Sequence, residues 1–239
     1  MHNQSIEIIP AILPKSLSGI EHGLERVRDA APLVQIDIID GVFAPDTTWP
    51  YTDRDSFERI LAEEEGLPFW EEFDFEFDLM INNPQEEAEK YIRAGASRIV
   101  LHAASRGAVE AATALALQND ANSPFAFELG IALALDQGAE ALVPFGDSFD
   151  FVQVMGIDPV GRQGAPFDER ALSLIAAVRA QLGEHADVCP IQVDGGVRVE
   201  NAAALVAAGA TRLVAGSAIF GTNDAARAIA TLRKATQSA

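Results

Sequence analysis

Two aspartates, Asp37 and Asp194, stand inside or at the end of apolar runs, Gln35-Ile36-Asp37-Ile38-Ile39 and Ile191-Gln192-Val193-Asp194. A carboxylate among apolar neighbours is seldom buried without a partner or a task. Carried on two different strands, two such groups can work on opposite faces of one substrate carbon. One removes the proton next to a carbonyl, and the other returns a proton from the far side. The product is the epimer. The enediolate between the two steps carries negative charge, which needs oriented donors or a cation around it.

A second set of residues would hold the other end of such a substrate. Val193-Asp194-Gly195-Gly196-Val197 ends one apolar run, and Leu213-Val214-Ala215-Gly216-Ser217 ends the next. Glycine lets a phosphate approach backbone N–H groups closely, because no Cβ stands in the way. Gly195, Gly196, Gly216 and Ser217 are therefore the expected phosphate cradle, with Asp194 beside it at the reacting end. Arg162, in Val160-Gly161-Arg162-Gln163-Gly164, is expected to add a cation there. Three further groups lie at strand ends. Glu76 and Asp78 are two apart and share one face, and His102 closes its own run. The His102 side chain reads as a satisfied strand-end histidine more readily than as a base. Asp40 sits in an Asp-Gly turn signal. His2, His22 and His185 fall in the tail or in helical stretches and are poor site candidates.

Positioning these groups requires eight strands. Apolar runs at 6–13, 34–39, 73–80, 98–102, 125–132, 149–155, 188–194 and 212–215 alternate with segments of helical period, such as the stripe Leu172, Ile175, Val178 and Leu182. Many runs are apolar throughout, as strands buried on both faces are. Eight alternating βα units predict an α/β fold, the closed (β/α)8 or TIM barrel, whose catalytic groups project from the C-terminal strand ends. Ala94-Gly95-Ala96-Ser97-Arg98-Ile99-Val100 echoes Ala208-Gly209-Ala210-Thr211-Arg212-Leu213-Val214, and each copy reads as helix end, glycine cap and strand. The 239 residues fit one domain over 1–239, with an insertion at about 46–72 that carries both tryptophans, Trp49 and Trp70. That insertion reads equally as a lid, a contact between copies or a surface elaboration.

The formal charge is −19. Nucleic acid and anionic membrane are excluded as partners, since both need a basic surface. No apolar run reaches the ~18 residues of a membrane span, and the polar start Met1-His2-Asn3-Gln4-Ser5 has no leader pattern. One cysteine, Cys189, permits no internal disulfide. A cytoplasmic homo-oligomer acting on a small phosphorylated sugar is the resulting expectation.

The motifs together resemble the ribulose-phosphate 3-epimerase family over nearly the whole chain. Pro10-Ala11-Ile12-Leu13 is similar to its opening Pro-Ser-Ile-Leu. Asp37-Ile38-Ile39-Asp40-Gly41-Val42-Phe43-Ala44-Pro45 is similar to its Asp-x-Met-Asp-Gly-x-Phe-x-Pro, the most specific of the matches. Asp78-Leu79-Met80, Met155-Gly156-Ile157-Asp158-Pro159 and both glycine motifs resemble their counterparts. The resemblance implies an isomerase of the pentose phosphate group, a sugar-phosphate epimerase with Asp37 and Asp194 as acid and base. It also implies a divalent metal held by these two aspartates and two histidines. Here Gln35 and Asp78 stand in the histidine positions. Zinc favours imidazole and thiolate, whereas the all-oxygen set Gln35, Asp37, Asp78 and Asp194 suits Mg²⁺ or Mn²⁺. The other reading is a site without metal. Two further functions stay open, a lyase or aldolase on the same barrel and a non-catalytic phosphosugar binder. Strand 3 lacks the lysine of the Asp-x-Lys-x-x-Asp lyase motif, and no expected strand end carries a Schiff-base lysine, which weighs against the lyase and aldolase.

Overall fold

Each apolar run pairs in parallel with its neighbour in sequence, and the last closes on the first. A computed structural model describes residues 6–119 and 126–238. In chain order its elements are β1 (Glu7–Ile12), α1 (Leu17–Val27), β2 (Leu33–Ile39), α2 (Arg54–Leu61), β3 (Asp74–Met80), α3 (Ala88–Arg93), β4 (Ala96–His102), α4 (Ala108–Gln118), β5 (Glu128–Leu133), β6 (Phe151–Met155), α5 (Arg170–Leu182), β7 (Ile191–Asp194), α6 (Val199–Ala208), β8 (Arg212–Ala215), α7 (Ser217–Phe220) and α8 (Ala225–Ala235). The sheet order β1 to β8 is a closed parallel barrel, the (β/α)8 fold.

The strands differ from expectation mainly at their starts. The run at 188–194 opens only at Ile191, because the chain first turns back through a Cys189 N–H bond to the His185 carbonyl. The run at 125–132 becomes Glu128–Leu133, and Phe125 lies outside the described residues, as do His2 and the rest of 1–5. The echoed segments mark the same helix-to-strand turn, in which Gly95 (φ +106°) and Gly209 (φ +124°) take a left-handed conformation. Of the insertion's tryptophans, Trp49 is fully buried against Phe57 and donates its indole N–H to Ser56 Oγ at 2.7 Å, while Trp70 is exposed. Among the described residues no helix is long and apolar enough to cross a membrane.

Outward strand residues such as Ile36, Ile38, Phe77 and Leu79 form the main core with the helices. The barrel interior is layered. At the N-terminal end Arg98 reaches Glu7 at 3.1 Å and Glu128 at 3.2 Å, while Arg212 reaches the same two carboxylates at 3.3 and 2.8 Å. This ionic layer plugs the bottom. Against this layer Phe151 fills the space left by Gly130, where a Cβ would overlap the ring, and its ring face packs on the Arg212 guanidinium, 4.9 Å from the centroid. Strand alternation then presents Gln35, Glu76, Gln153 and Gln192, all fully buried, and next Asp37, Asp78, His102 and Asp194.

Candidate active site

The end of β2 is held by Thr48, whose hydroxyl donates to the Asp37 carbonyl and accepts the Ile39 N–H, both at 2.7 Å. Asp37 thereby enters the barrel mouth two residues above Gln35. The β2–β3 register sets Asp37 beside Asp78, and Asp194 ends β7. One carboxylate oxygen of each of Asp37, Asp78 and Asp194 lies within 4.8 Å of the others. Asp40 is not part of this group. Its carboxylate accepts N–H bonds from Val42, Phe43 and Asn82 and shapes the loop instead.

Burial dominates the electrostatics. It pushes the Asp37 carboxyl well above the usual carboxylate range, and the neighbouring Asp194 and Asp78 charges push further. Asp194 is raised to about 7, first by burial and then by Asp78, with the Gln35 N–H and His102 pulling the other way. Both shifts favour retention of a proton by the pair when no cation is bound.

Four groups hold the carboxylates. Gln35 Nε2 donates to Asp37 Oδ1 at 2.8 Å and to Asp194 Oδ2 at 3.2 Å. Asp78 meets His102 Nε2 at 2.8 Å and accepts from Gln153 Nε2 at 3.1 Å. Gln192 Nε2 donates to both Gln153 Oε1 and Glu76 Oε1 at 2.7 Å. Gln153 and Gln192 were missed in the sequence. Their signal is the one that singled out the aspartates, a polar residue at an inward position of an apolar strand, in Phe151-Val152-Gln153-Val154-Met155 and Ile191-Gln192-Val193.

An open pocket lies over this cluster, and Asp37, Asp194, Gly195, Gly196, Gly216 and Ser217 all line it. Gly195 (φ +105°) and Gly196 (φ +68°) take conformations that disfavour side chains. A Cβ on Gly196 would press on Phe167 at 2.7–2.9 Å, and one on Gly216 would meet Gln163 Nε2 at 2.7 Å. Arg162 is exposed and lines the same cavity, as do Ala11 and Met80. Gly161 explains why the β6–α5 loop reaches this far: a Cβ there would press on Ala44 at 2.8 Å.

Three buried carboxylates, all oxygen donors at this spacing, fit a hard divalent cation, which would offset the mutual repulsion that now raises Asp37 and Asp194. Gln35 turns its amide nitrogen to this cluster, and its oxygen lies 3.5 Å from Gln192 Nε2.

The profile described as the ribulose-phosphate 3 epimerase family matches residues 7–220. The chain is 28% identical over 227 residues to the chloroplastic ribulose-5-phosphate-3-epimerase of Arabidopsis thaliana, covering 94% of this chain and 75% of that protein. It is 30% identical over 224 residues to the ribulose-phosphate 3-epimerase of Chlamydia muridarum, covering 92% and 90%. In fold it is similar to KGPDC from Streptococcus mutans, with a TM-score of 0.72, 13% identity and coverage of 98% and 99%. It is similar also to a 3-hexulose-6-phosphate synthase, with a TM-score of 0.62, 22% identity and coverage of 96% and 99%. At these identities the two structures speak for the barrel alone.

Proposed function

This chain belongs to the ribulose-phosphate 3-epimerase family, and on that premise we propose that it epimerises a ketose phosphate, ribulose 5-phosphate, by proton transfer between Asp37 and Asp194. It is an isomerase. The observation that carries the mechanism is the shared cavity, lined both by two carboxylates of raised pKa and by a glycine-rich backbone cradle.

The phosphate sits against Gly195, Gly196, Gly216 and Ser217, and Arg162 offsets part of the field of a chain of charge −19. This fixes the carbon next to the carbonyl beside the aspartates. The ionised carboxylate takes the proton from that carbon, and the electron pair moves into the carbonyl to give the enediolate. The protonated carboxyl delivers its proton to the opposite face, the carbonyl reforms, and the configuration is inverted. Each carboxyl ends in the other's starting state. Asp37, Asp78 and Asp194 would hold a divalent cation, which when bound supplies charge stabilisation of the enediolate oxygens. Mg²⁺ or Mn²⁺ suits this oxygen set better than Zn²⁺, and Gln35 would join it only by turning its amide oxygen inward.

A lyase or aldolase on the same barrel would want a lysine at a strand end, and β3, which reads Asp74-Phe75-Glu76-Phe77-Asp78-Leu79-Met80, has none. A binder without chemistry would leave the two raised carboxyls without a use.

The test is solvent deuterium exchange into ribulose 5-phosphate followed by NMR, with chelator-treated protein and again with Mg²⁺, Mn²⁺ or Zn²⁺. Label at the carbon next to the carbonyl together with the epimer is the expected result. Binding without exchange under every metal would refute the epimerase mechanism.

A further inference from the structure

Gln35 lies beneath the floor of the cavity and is fully buried. An amide NH₂ has two protons to give. Both are used here, one on Asp37 Oδ1 at 2.8 Å and one on Asp194 Oδ2 at 3.2 Å. The two residues it joins come from β2 and β7, which are not neighbours in the barrel. No backbone ladder therefore sets the distance between the two carboxylates, and the amide spans that gap. Its orientation is determined as well. Turned over, the amide would aim its oxygen at two carboxylates and its nitrogen at the Gln192 NH₂, opposing like groups at both ends. Gln192 has no freedom to reverse either, since its two protons go to Glu76 Oε1 and Gln153 Oε1.

Resting on the epimerase reading, we propose that Gln35 is a positioning residue. By donating one N–H to each acid/base carboxylate from below, it fixes their relative geometry so that abstraction on one face is followed by delivery on the other. Gln35 touches no substrate atom and moves no proton. Its contribution is geometric, because inversion requires both carboxylates to be in register with one carbon, whereas exchange of a substrate proton with solvent requires only one of them. Loss of the bridge thus has a specific signature. Abstraction and return on the same face persist, while crossing to the opposite face slows.

The experiment compares wild type with Gln35→Met, which keeps the side-chain length and removes both donors, and with Gln35→Glu, which keeps the shape and offers at most one proton, so that both carboxylates cannot be bridged at once. Each is given ribulose 5-phosphate in deuterated water, and label in recovered substrate and in epimer is counted separately. The expected result is a rise of at least about fivefold in the ratio of exchange to inversion, with kcat for the epimer falling at least about tenfold. KM should stay within about twofold, because the phosphate cradle is untouched. A folded variant with the wild-type ratio and kcat overturns the proposal and leaves the epimerase reading intact. Wild-type protein that exchanges no label overturns that reading, and this proposal with it. If neither variant folds, the side-chain amide protons of Gln35 in wild type decide by NMR. Two distinct, slowly exchanging signals are expected, and rapid exchange of either overturns the bridge.

Discussion

Glu76 offers a measurable consequence of burying a carboxyl inside the barrel. It is wholly inaccessible, and burial raises its pKa to about 8 from an ordinary 4.5, against the opposing pull of Arg98, the Gln192 N–H and Arg212. Arg98 approaches it only to 3.8 Å, so the pairing is incomplete. The folded state keeps a proton on Glu76 between pH 4.5 and about 8, where the unfolded chain has lost it. Stability from this group is therefore complete below pH 4.5 and is lost as the pH rises to about 8. At about 1.4 kcal/mol per pH unit, the full span amounts to on the order of 5 kcal/mol. Relaxation and entry of water make that a ceiling. Glu76→Gln keeps the shape and the acceptor facing Gln192 and removes the titration. Urea unfolding of both proteins at pH 4.5 to 8.5 in chelator is the assay. Asp37 and Asp194 titrate in both, so the difference between the curves reports Glu76 together with its coupling to Asp37. The variant should gain on wild type by several kcal/mol across that range. Parallel curves, or a variant that loses ground as the pH rises, would refute the burial argument.

Four further outcomes follow from the same geometry. Asp37→Asn and Asp194→Asn should each lower turnover by at least about 10³-fold while keeping the wild-type circular dichroism spectrum, and near-wild-type turnover in either excludes the two-carboxylate mechanism. In chelator-treated wild type, residual kcat/KM should climb as the pH rises through about 7, since Asp194 must yield its proton before one member of the pair can act as base, and added cation should move that limb to lower pH; an acidic limb complete below pH 5 without cation contradicts this. Gly196→Ala forces a Cβ against Phe167 at a φ of +68°, so KM should rise about tenfold or more with a smaller change in kcat, and an unchanged KM removes Gly196 from the phosphate cradle. Millimolar Mn²⁺ or Mg²⁺ should raise the melting temperature of chelator-treated protein, an effect lost in Asp78→Ala; no shift in wild type argues for a site that works without a cation.

The barrel was legible in the sequence because its signals are local. Strand runs, helical stripes and glycine caps each depend on neighbours a few residues away, and Gly95 and Gly209 show the same cap adopted twice. Asp37, Asp78 and Asp194 could also be read, since a carboxylate in an apolar strand has few uses and period-two alternation gives the face it takes. Alternation does not give depth in the barrel or the partner across it. Only the tertiary structure could decide that Gln35 bridges Asp37 to Asp194, 159 residues away in the chain, and that Gln153 crosses 75 residues to Asp78. The same holds for the partner of His102, which reads as a satisfied strand-end histidine and is bound to Asp78 at 2.8 Å. Side-chain type and local period set what chemistry each strand can carry. Closure of the barrel sets which of those groups meet, because hydrogen bonds between strands that are not neighbours leave no periodic trace in the chain.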